Sequence, residues 1–410
     1  MATVFLASAL LGCGGPSSVS LPDNSNGIRA SCSLGETVKA CVDKLASSFP
    51  QGGTLMFDTG VYPSGYQGSD RITTAHITLQ GAGMPAYNSD LTALSGGTII
   101  TGTLPVVADY FAARDLGIDV GSQVVPSGAV DGFAMANVGQ LIGRPPFKAP
   151  VLENITVLGV NRPGAHSVLV ENVTGARIHN LRCRFQTHCF AFKGSGIIEK
   201  VDAAGGSTDN IVIKSDFYAP TSDVAIFHVT MTSITPGDSG GLVLEALDAD
   251  MKHIAILDVV GKNIRYGLHL DAADPSTISD IYASGLTFDN SGYASSDTYC
   301  LAESGSNGGS HSINGFRASN ISCRNFGQVQ NINNQSVQNG ALFNIRGFNI
   351  LGDAFWNSGT WNMLNISLKT VSGNGVVALG GLTTIEGSSF DNLSGSPFVE
   401  AGGEIRFGLP

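Results

Sequence analysis

The 410-residue chain carries 22 Lys and Arg against 33 Asp and Glu, a net charge of −11, and only 13% of its residues are charged. With 42% hydrophobic residues it is not a disordered chain, and with no basic run it is not a nucleic-acid binder. Its 53 glycines are nearly twice the ordinary share of about 7%, which suits a turn-rich β protein.

Residues 1–13, ending Leu10-Leu11-Gly12-Cys13, read as a signal segment with a lipobox-like end in which Cys13 is the candidate lipid attachment. The stretch is too short to span a bilayer as a helix. No Lys or Arg precedes it, and an ordinary signal peptide fits as well. The expected location is therefore secreted, or a periplasmic or outer-surface lipoprotein. Residues 14–31 are rich in Ser, Pro, Asn and Gly and read as a tether. The remainder, 32–410, reads as one structural unit.

That unit opens with Val38, Cys41, Val42, Leu45 and Phe49 at helical spacing, predicting a helix over 36–49 that stops before Gly52-Gly53. Its place before the first strand suggests a cap on an exposed hydrophobic end. From Thr54 onward, short β-branched runs alternate with Gly, Asn, Asp and Ser. Residues 104–148 interrupt the rhythm and read as an insertion that walls a groove. Six cysteines remain beyond Cys13. Cys32 with Cys41, Cys183 with Cys189 and Cys300 with Cys323 are close enough for three local bridges in an exported protein. Buried free thiols are the other reading.

Two interleaved series of apolar runs follow. The first is marked by Leu169, Ala191, Val212, Val243, His269 and Leu301, in steps of 22, 21, 31, 26 and 32 residues. The second includes Val224-Ala-Ile, Ile254-Ala-Ile and Ile281-Tyr-Ala. Steps of this size with strand-like beats predict an all-β solenoid, a right-handed parallel β-helix with an N-terminal capping helix, stacked from about Thr54 to Val399. Asn154, Asn320 and Asn365 recur before second-series strands, as turn asparagines bonded along the axis would.

The stretch Gln51-Gly-Gly-Thr-Leu-Met-Phe-Asp-Thr-Gly-Val-Tyr62 through Ile77-Thr-Leu-Gln-Gly-Ala-Gly83 resembles the opening coils of the pectate-lyase-like superfamily. The resemblance implies the β-helix well and the reaction poorly, since that superfamily holds hydrolases, lyases, epimerases and phage tailspikes. Within it, polygalacturonases open three rungs with Asn-Thr-Asp, Asp-Asp-Cys and Gly-His-Gly. In register this chain has Ala165-His166-Ser167, Thr187-His188-Cys189 and Thr208-Asp209-Asn210. The location of a site carries over; the hydrolase machinery does not.

The chemistry is expected on one face. His166, His188, Asp209, Gly240, Tyr266 and Thr298 form one upstream column, and Glu171, Lys193, Lys214, Glu245, Asp271 and Glu303 form a charged ladder five residues later. Adjacent strands are about 4.8 Å apart, so neighbours in a column can touch. His188, Asp209, His166 and Lys214 are the candidate catalytic groups, with the histidine pKa raised by the carboxylate. Lys193, Glu245, His269 and Asp271 are the candidate substrate-binding groups. Cross-strand ion pairing accounts for the ladder equally well.

No organic cofactor is expected. A calcium site from Asp209, Asp216 and Asp223 is the metal alternative, and Cys183 and Cys189 with His188 lack zinc spacing. Trp356 and Trp361, with Phe355, are either a sugar platform or core. The function these readings support is an exported protein that cleaves an acidic polysaccharide, as a lyase or glycoside hydrolase. A non-catalytic glycan-binding or adhesive β-helix is the alternative. Oligomeric state, monomer or homotrimer, is open.

Overall fold

The computed structural model describes residues 27–408 apart from 122–130, 136–143, 160–164, 185–186, 206–207, 274 and 305–311. The expected signal segment with Cys13, and most of the 14–31 tether, lie outside the described residues. One inward column explains the architecture. Val168, Phe190, Ile211, Leu242, Leu268 and Leu301 pair in sequence on successive parallel strands. None exposes more than 2% of its surface. Each such side chain, fully buried, contributes roughly 1.5–3 kcal/mol. An apolar residue at every second position therefore stacks coil on coil.

Among the described residues, twenty-seven strands join one sheet in this way, and its pairings are parallel. A small antiparallel pair, Ala86–Tyr87 with Leu94–Ser95, lies outside it. The fold is a right-handed parallel β-helix, the architecture implied by the resemblance to pectate-lyase-like proteins. The second series is also present: Val224 pairs with Ile254 and Ile254 with Ile281.

The turn asparagines fall where a single left-handed residue bends the chain between strands. Asn154, Asn180, Asn320, Asn344 and Asn365 all have φ between 54° and 57°. Asparagine tolerates this region better than most residues, and its amide bonds along the axis. Asn180 donates to Asn154 and Asn154 to Asp115, each at 2.7 Å, and Asn344 donates to Asn320 at 2.7 Å.

The helix runs Val38–Ser48. Thr37 caps it by accepting from the Ala40 amide at 3.1 Å, and Val38, Cys41, Val42 and Leu45 are buried. It packs against the first two strands, Arg29–Cys32 and Gly53–Phe57. The solenoid thus begins at Arg29, inside the expected tether, because Ala30 and Cys32 pair with Leu55 and Phe57.

Two sequence expectations are corrected. Residues 104–148 are not simply an insertion: Leu104–Val106, Ala112–Asp119, Phe133–Met135 and Phe147–Lys148 are rungs of the sheet. The last step of the first series is one residue out of phase. Leu268 pairs with Leu301 and Tyr266 with Tyr299, so Thr298 and Glu303 leave their expected columns. Cys300-Leu301-Ala302 is apolar throughout and accommodates either phase.

The three expected disulfides are present. Cys300 and Cys323 are 23 residues apart but do not share an angle around the axis. Tyr299 returns to its own column only at Gln328, and Cys323 pairs with Phe288 in the second series. Cys183 belongs to that same second-series column, through Ala203, Met231, Gly261 and Phe288. Cys189 and Cys300 likewise share a first-series column. Both bridges therefore span the same corner of the coil.

Candidate functional site

On the first-series strands His166–Arg184, His188–Ala204, Asp209–Ser215, Gly240–Ala246 and Tyr266–Ala272, alternate residues point away from the core. His166 pairs with His188, His188 with Asp209 and Asp209 with Gly240, so the upstream column forms as expected through Tyr266. The face is recessed. Ala191 and Val212, which point outward between the two columns, are each only 1% exposed.

Asp209 is at the centre. Its Oδ1 accepts a hydrogen bond from the Tyr266 hydroxyl, and its Oδ2 lies 3.5 Å from His188 Nδ1. His188 stacks on His166, ring centres 5.3 Å apart. His166 in turn is held by Asp131, whose Oδ1 lies 3.0 Å from its Nδ1 and accepts from its backbone amide at 2.9 Å.

Burial decides the protonation states. It raises the Asp209 pKa to about 6, with Glu245 and Asp271 adding to the shift and the Tyr266 bond and Lys214 opposing it. It pushes His188 down to about 3, helped by His166 and Lys214. The expectation of a histidine raised by its carboxylate is therefore reversed. At 3.5 Å the pair is too long for a good hydrogen bond, and desolvation of the imidazolium outweighs the attraction. Asp209, not a histidine, is the group poised near neutrality. Burial, then the Asp209 charge, hold the Tyr266 phenol well above its usual range.

Gly240 makes the Tyr266 contact possible. Tyr266 stands two strands from Asp209, and its ring lies over Gly240. A Cβ at position 240 would sit 2.2 Å from Tyr266 Cε2 and Cζ.

The ladder is a set of ion pairs. Lys193 Nζ lies 2.7 Å from both Glu171 and Asp216, and Lys214 Nζ lies 2.7 Å from Glu245. Glu171 and Lys193 are 4% and 7% exposed. Burial opposes the Lys193 charge, but the two carboxylates outweigh it and raise its pKa. Asp216 joins from the turn after its strand, where its Oδ1 also accepts from the Tyr218 and Ala219 amides. Both lysines thus already hold protein carboxylates.

His269 and Asp271 share the face, beside Glu245 and Val243. The His269 ring meets Tyr266 edge-on at 4.7 Å. Its pKa is pushed down to about 4, by burial and then by Arg265. Arg265 is exposed at the upstream edge and makes no ion pair among the described residues. Its charge acts on both His269 and Tyr266. Arg265 and Asp131 were not picked out in the sequence; Gly240 and Tyr266 stood in the right column, without their roles.

The calcium alternative does not assemble. Asp209 is at the upstream edge, Asp216 is bound to Lys193 past the downstream edge, and Asp223 is an exposed turn residue beside His253. Among the described residues, the metal-like grouping is Cys32, Glu36 and Cys41, whose cysteines are bridged to each other. Cys183 and Cys189 are bridged as well, which removes them as ligands beside His188. No described helix is long and apolar enough to cross a membrane.

No family model and no curated protein matches the sequence. Solved structures do overlap it. The A-module of the mannuronan C-5 epimerase AlgE4 from Azotobacter vinelandii aligns over 91% of this chain and 92% of that one, with TM-score 0.46 and 14% identity. The catalytic unit of a thermostable GH87 α-1,3-glucanase from Streptomyces thermodiastaticus aligns over 94% and 68%, with TM-score 0.48 and 12% identity. A GH87 α-1,3-glucanase catalytic domain in complex with nigerose aligns over 94% and 69%, with TM-score 0.42 and 12% identity. These are likenesses of coil architecture; the fold itself is read from the strand ladders.

Proposed function

We propose that the chain is an exported enzyme that cleaves an acidic polysaccharide by proton transfer at the Asp209–Tyr266 pair. The observation that carries this reading is the Tyr266 hydroxyl donating across Gly240 to a buried carboxylate whose pKa is about 6. A carboxylate poised near neutrality is suited to general acid–base work. In elimination the phenol oxygen takes the proton from the sugar carbon beside the carboxylate as its own proton passes to Asp209, and Asp209 gives that proton to the glycosidic oxygen as the carbon–oxygen bond breaks and the carbon–carbon double bond forms. Neutral His188 lies against the other carboxylate oxygen without competing for its proton.

Lys214 and Lys193 are assigned to holding the face together rather than to the substrate, because each already holds carboxylates. The cation for a sugar carboxylate is then Arg265, beside Tyr266 and His269. His269 and Asp271 line the route past it. Three disulfides support export to an oxidising compartment.

The epimerase and α-1,3-glucanases that overlap this chain supply test polymers of both charge classes. Incubation with polymannuronate, polygalacturonate and α-1,3-glucan is the experiment. New reducing ends with ultraviolet absorbance indicate elimination, and reducing ends without it indicate hydrolysis. Tyr266→Phe and Asp209→Asn should each lower turnover about 10²–10⁴-fold. Turnover unchanged in both variants would overturn the reading. The ion-paired lysines of the ladder favour one alternative, a non-catalytic glycan-binding β-helix, and binding of a polymer without cleavage would select it.

A further inference from the structure

The outward column of the candidate face does not end at His269. Ala302 pairs with His269, Asn331 with Ala302, and Trp356 with Asn331. Trp356 therefore stands on the same face, five rungs beyond the Asp209 strand. At about 4.8 Å per rung the separation along the axis is about 24 Å.

The three aromatic residues grouped in the sequence part company here. Phe355 and Trp361 are fully buried core residues, whereas Trp356 is partly exposed. The Trp356 ring is also held in place. Its Nε1 donates to Asp353 Oδ2 at 2.8 Å, and Asp353 Oδ1 accepts from the Asn374 backbone and side-chain amides at 2.7 and 2.9 Å. An indole fixed in this way keeps a flat apolar surface without the entropy loss of a mobile side chain.

Two further observations point to a hydroxyl-rich ligand. Asn331, the neighbour of Trp356 in the column, has an Oδ1 that is shielded from water and has no hydrogen-bond partner. Such an atom in a native protein calls for a donor. Two residues beyond Trp356 on the same strand, Ser358 and Thr360 line an open trough of about 550 Å³ with Gln338 and Asn339. Hydroxyls, amides, glycines and Val337 line it, and none of its lining residues is charged.

We propose that Trp356 is a stacking platform for a pyranose ring, flanked by Asn331 and the trough, so that a polysaccharide lies along the helix axis from Asp209 toward the C-terminal coils. The inference rests on the reading of the Asp209 face as glycan-processing. It adds a distal subsite that favours long chains over short ones.

The chain carries its own probe, because it has only two tryptophans and the other, Trp361, is buried. Dimers and decamers of mannuronate, galacturonate and α-1,3-linked glucose are titrated into the full chain carrying Asp209→Asn, which prevents turnover. Tryptophan emission and calorimetry are read together. Decamers should shift the emission and dimers should not. Trp356→Phe should abolish the shift on the same decamer. Trp356→Ala should weaken decamer binding about tenfold or more while dimer binding holds. A partly exposed position allows both variants to fold, and their melting curves check it. A decamer that binds by calorimetry with no emission change, or binds the Trp356→Ala variant equally well, overturns this inference alone. A panel in which no saccharide binds overturns the glycan-processing reading and this inference with it.

Discussion

Asp209→Asn should stabilise the protein at neutral pH even as it removes activity. The folded-state pKa of Asp209 is about 6, above its ordinary 3.8, because burial disfavours the carboxylate. The folded chain therefore holds this proton more tightly than the unfolded chain. Stability from this group is greatest below about pH 4 and falls as pH rises through about 6, where the buried group must ionise. A shift of roughly two units at 1.36 kcal/mol each is about 3 kcal/mol. Asparagine keeps the shape and never ionises. The bond from Tyr266 to the carboxylate already holds the pKa down to about 6, so its loss is contained in that figure. The expected net gain is about 3 kcal/mol at pH 7.5 and close to none at pH 4. Urea unfolding of wild type and variant at pH 4, 5.5 and 7.5 measures it, because the difference cancels the other titrating groups. A variant no more stable than wild type at pH 7.5, or a gain independent of pH, would refute the claim that Asp209 is held ionised against its environment.

The opposite sign holds for His188. Its folded pKa of about 3 lies below the ordinary 6.5, so the wild type loses stability as pH falls from about 6.5, and His188→Gln should lose less in acid unfolding between pH 6 and 4. Gly240→Ala should drive the Tyr266 ring off Asp209 and raise the acidic limb of the pH–rate profile above about 6. A lower melting temperature is also expected, because the displaced ring leaves the buried Asp209 carboxylate without its donor. An unmoved acidic limb would show that Tyr266 does not tune Asp209. Lys193→Ala should instead cost about 3–5 kcal/mol of stability, read by urea unfolding, because it leaves the buried Glu171 and Asp216 carboxylates without their cation. Wild-type stability in that variant would mean the ladder is not structural.

The coils were legible in the sequence because one constraint repeats. An apolar residue that must face inward at Val168, Phe190, Ile211, Leu242 and Leu268 fixes the phase of each strand, and the upstream column follows from that phase. The phase was lost at Cys300-Leu301-Ala302, where three apolar residues fit two registers. The Lys193–Glu171 and Lys214–Glu245 pairs were legible as neighbours one coil apart, but Asp216 reaches back from a turn and was not. The protonation of His188 was misjudged because neighbours can be counted in a sequence and burial cannot. Tyr266 was placed but not understood. Its reach to Asp209 depends on a missing side chain at Gly240, and a glycine in a strand pattern is just as compatible with a bulge or a tight bend.

The two disulfides at one corner of the coil have a mechanical consequence. Cys189 lies on the rung just before Asp209, and Cys300 on the rung just after Tyr266. Solenoids open from their ends, rung by rung, since each coil leans only on its neighbours. Here an opening that starts at either end meets a covalent clasp before it reaches Asp209, Gly240 or Tyr266. The rungs between the clasps can keep their spacing while outer coils come and go, so the end that carries Trp356 is free to breathe independently of the proton-transfer pair.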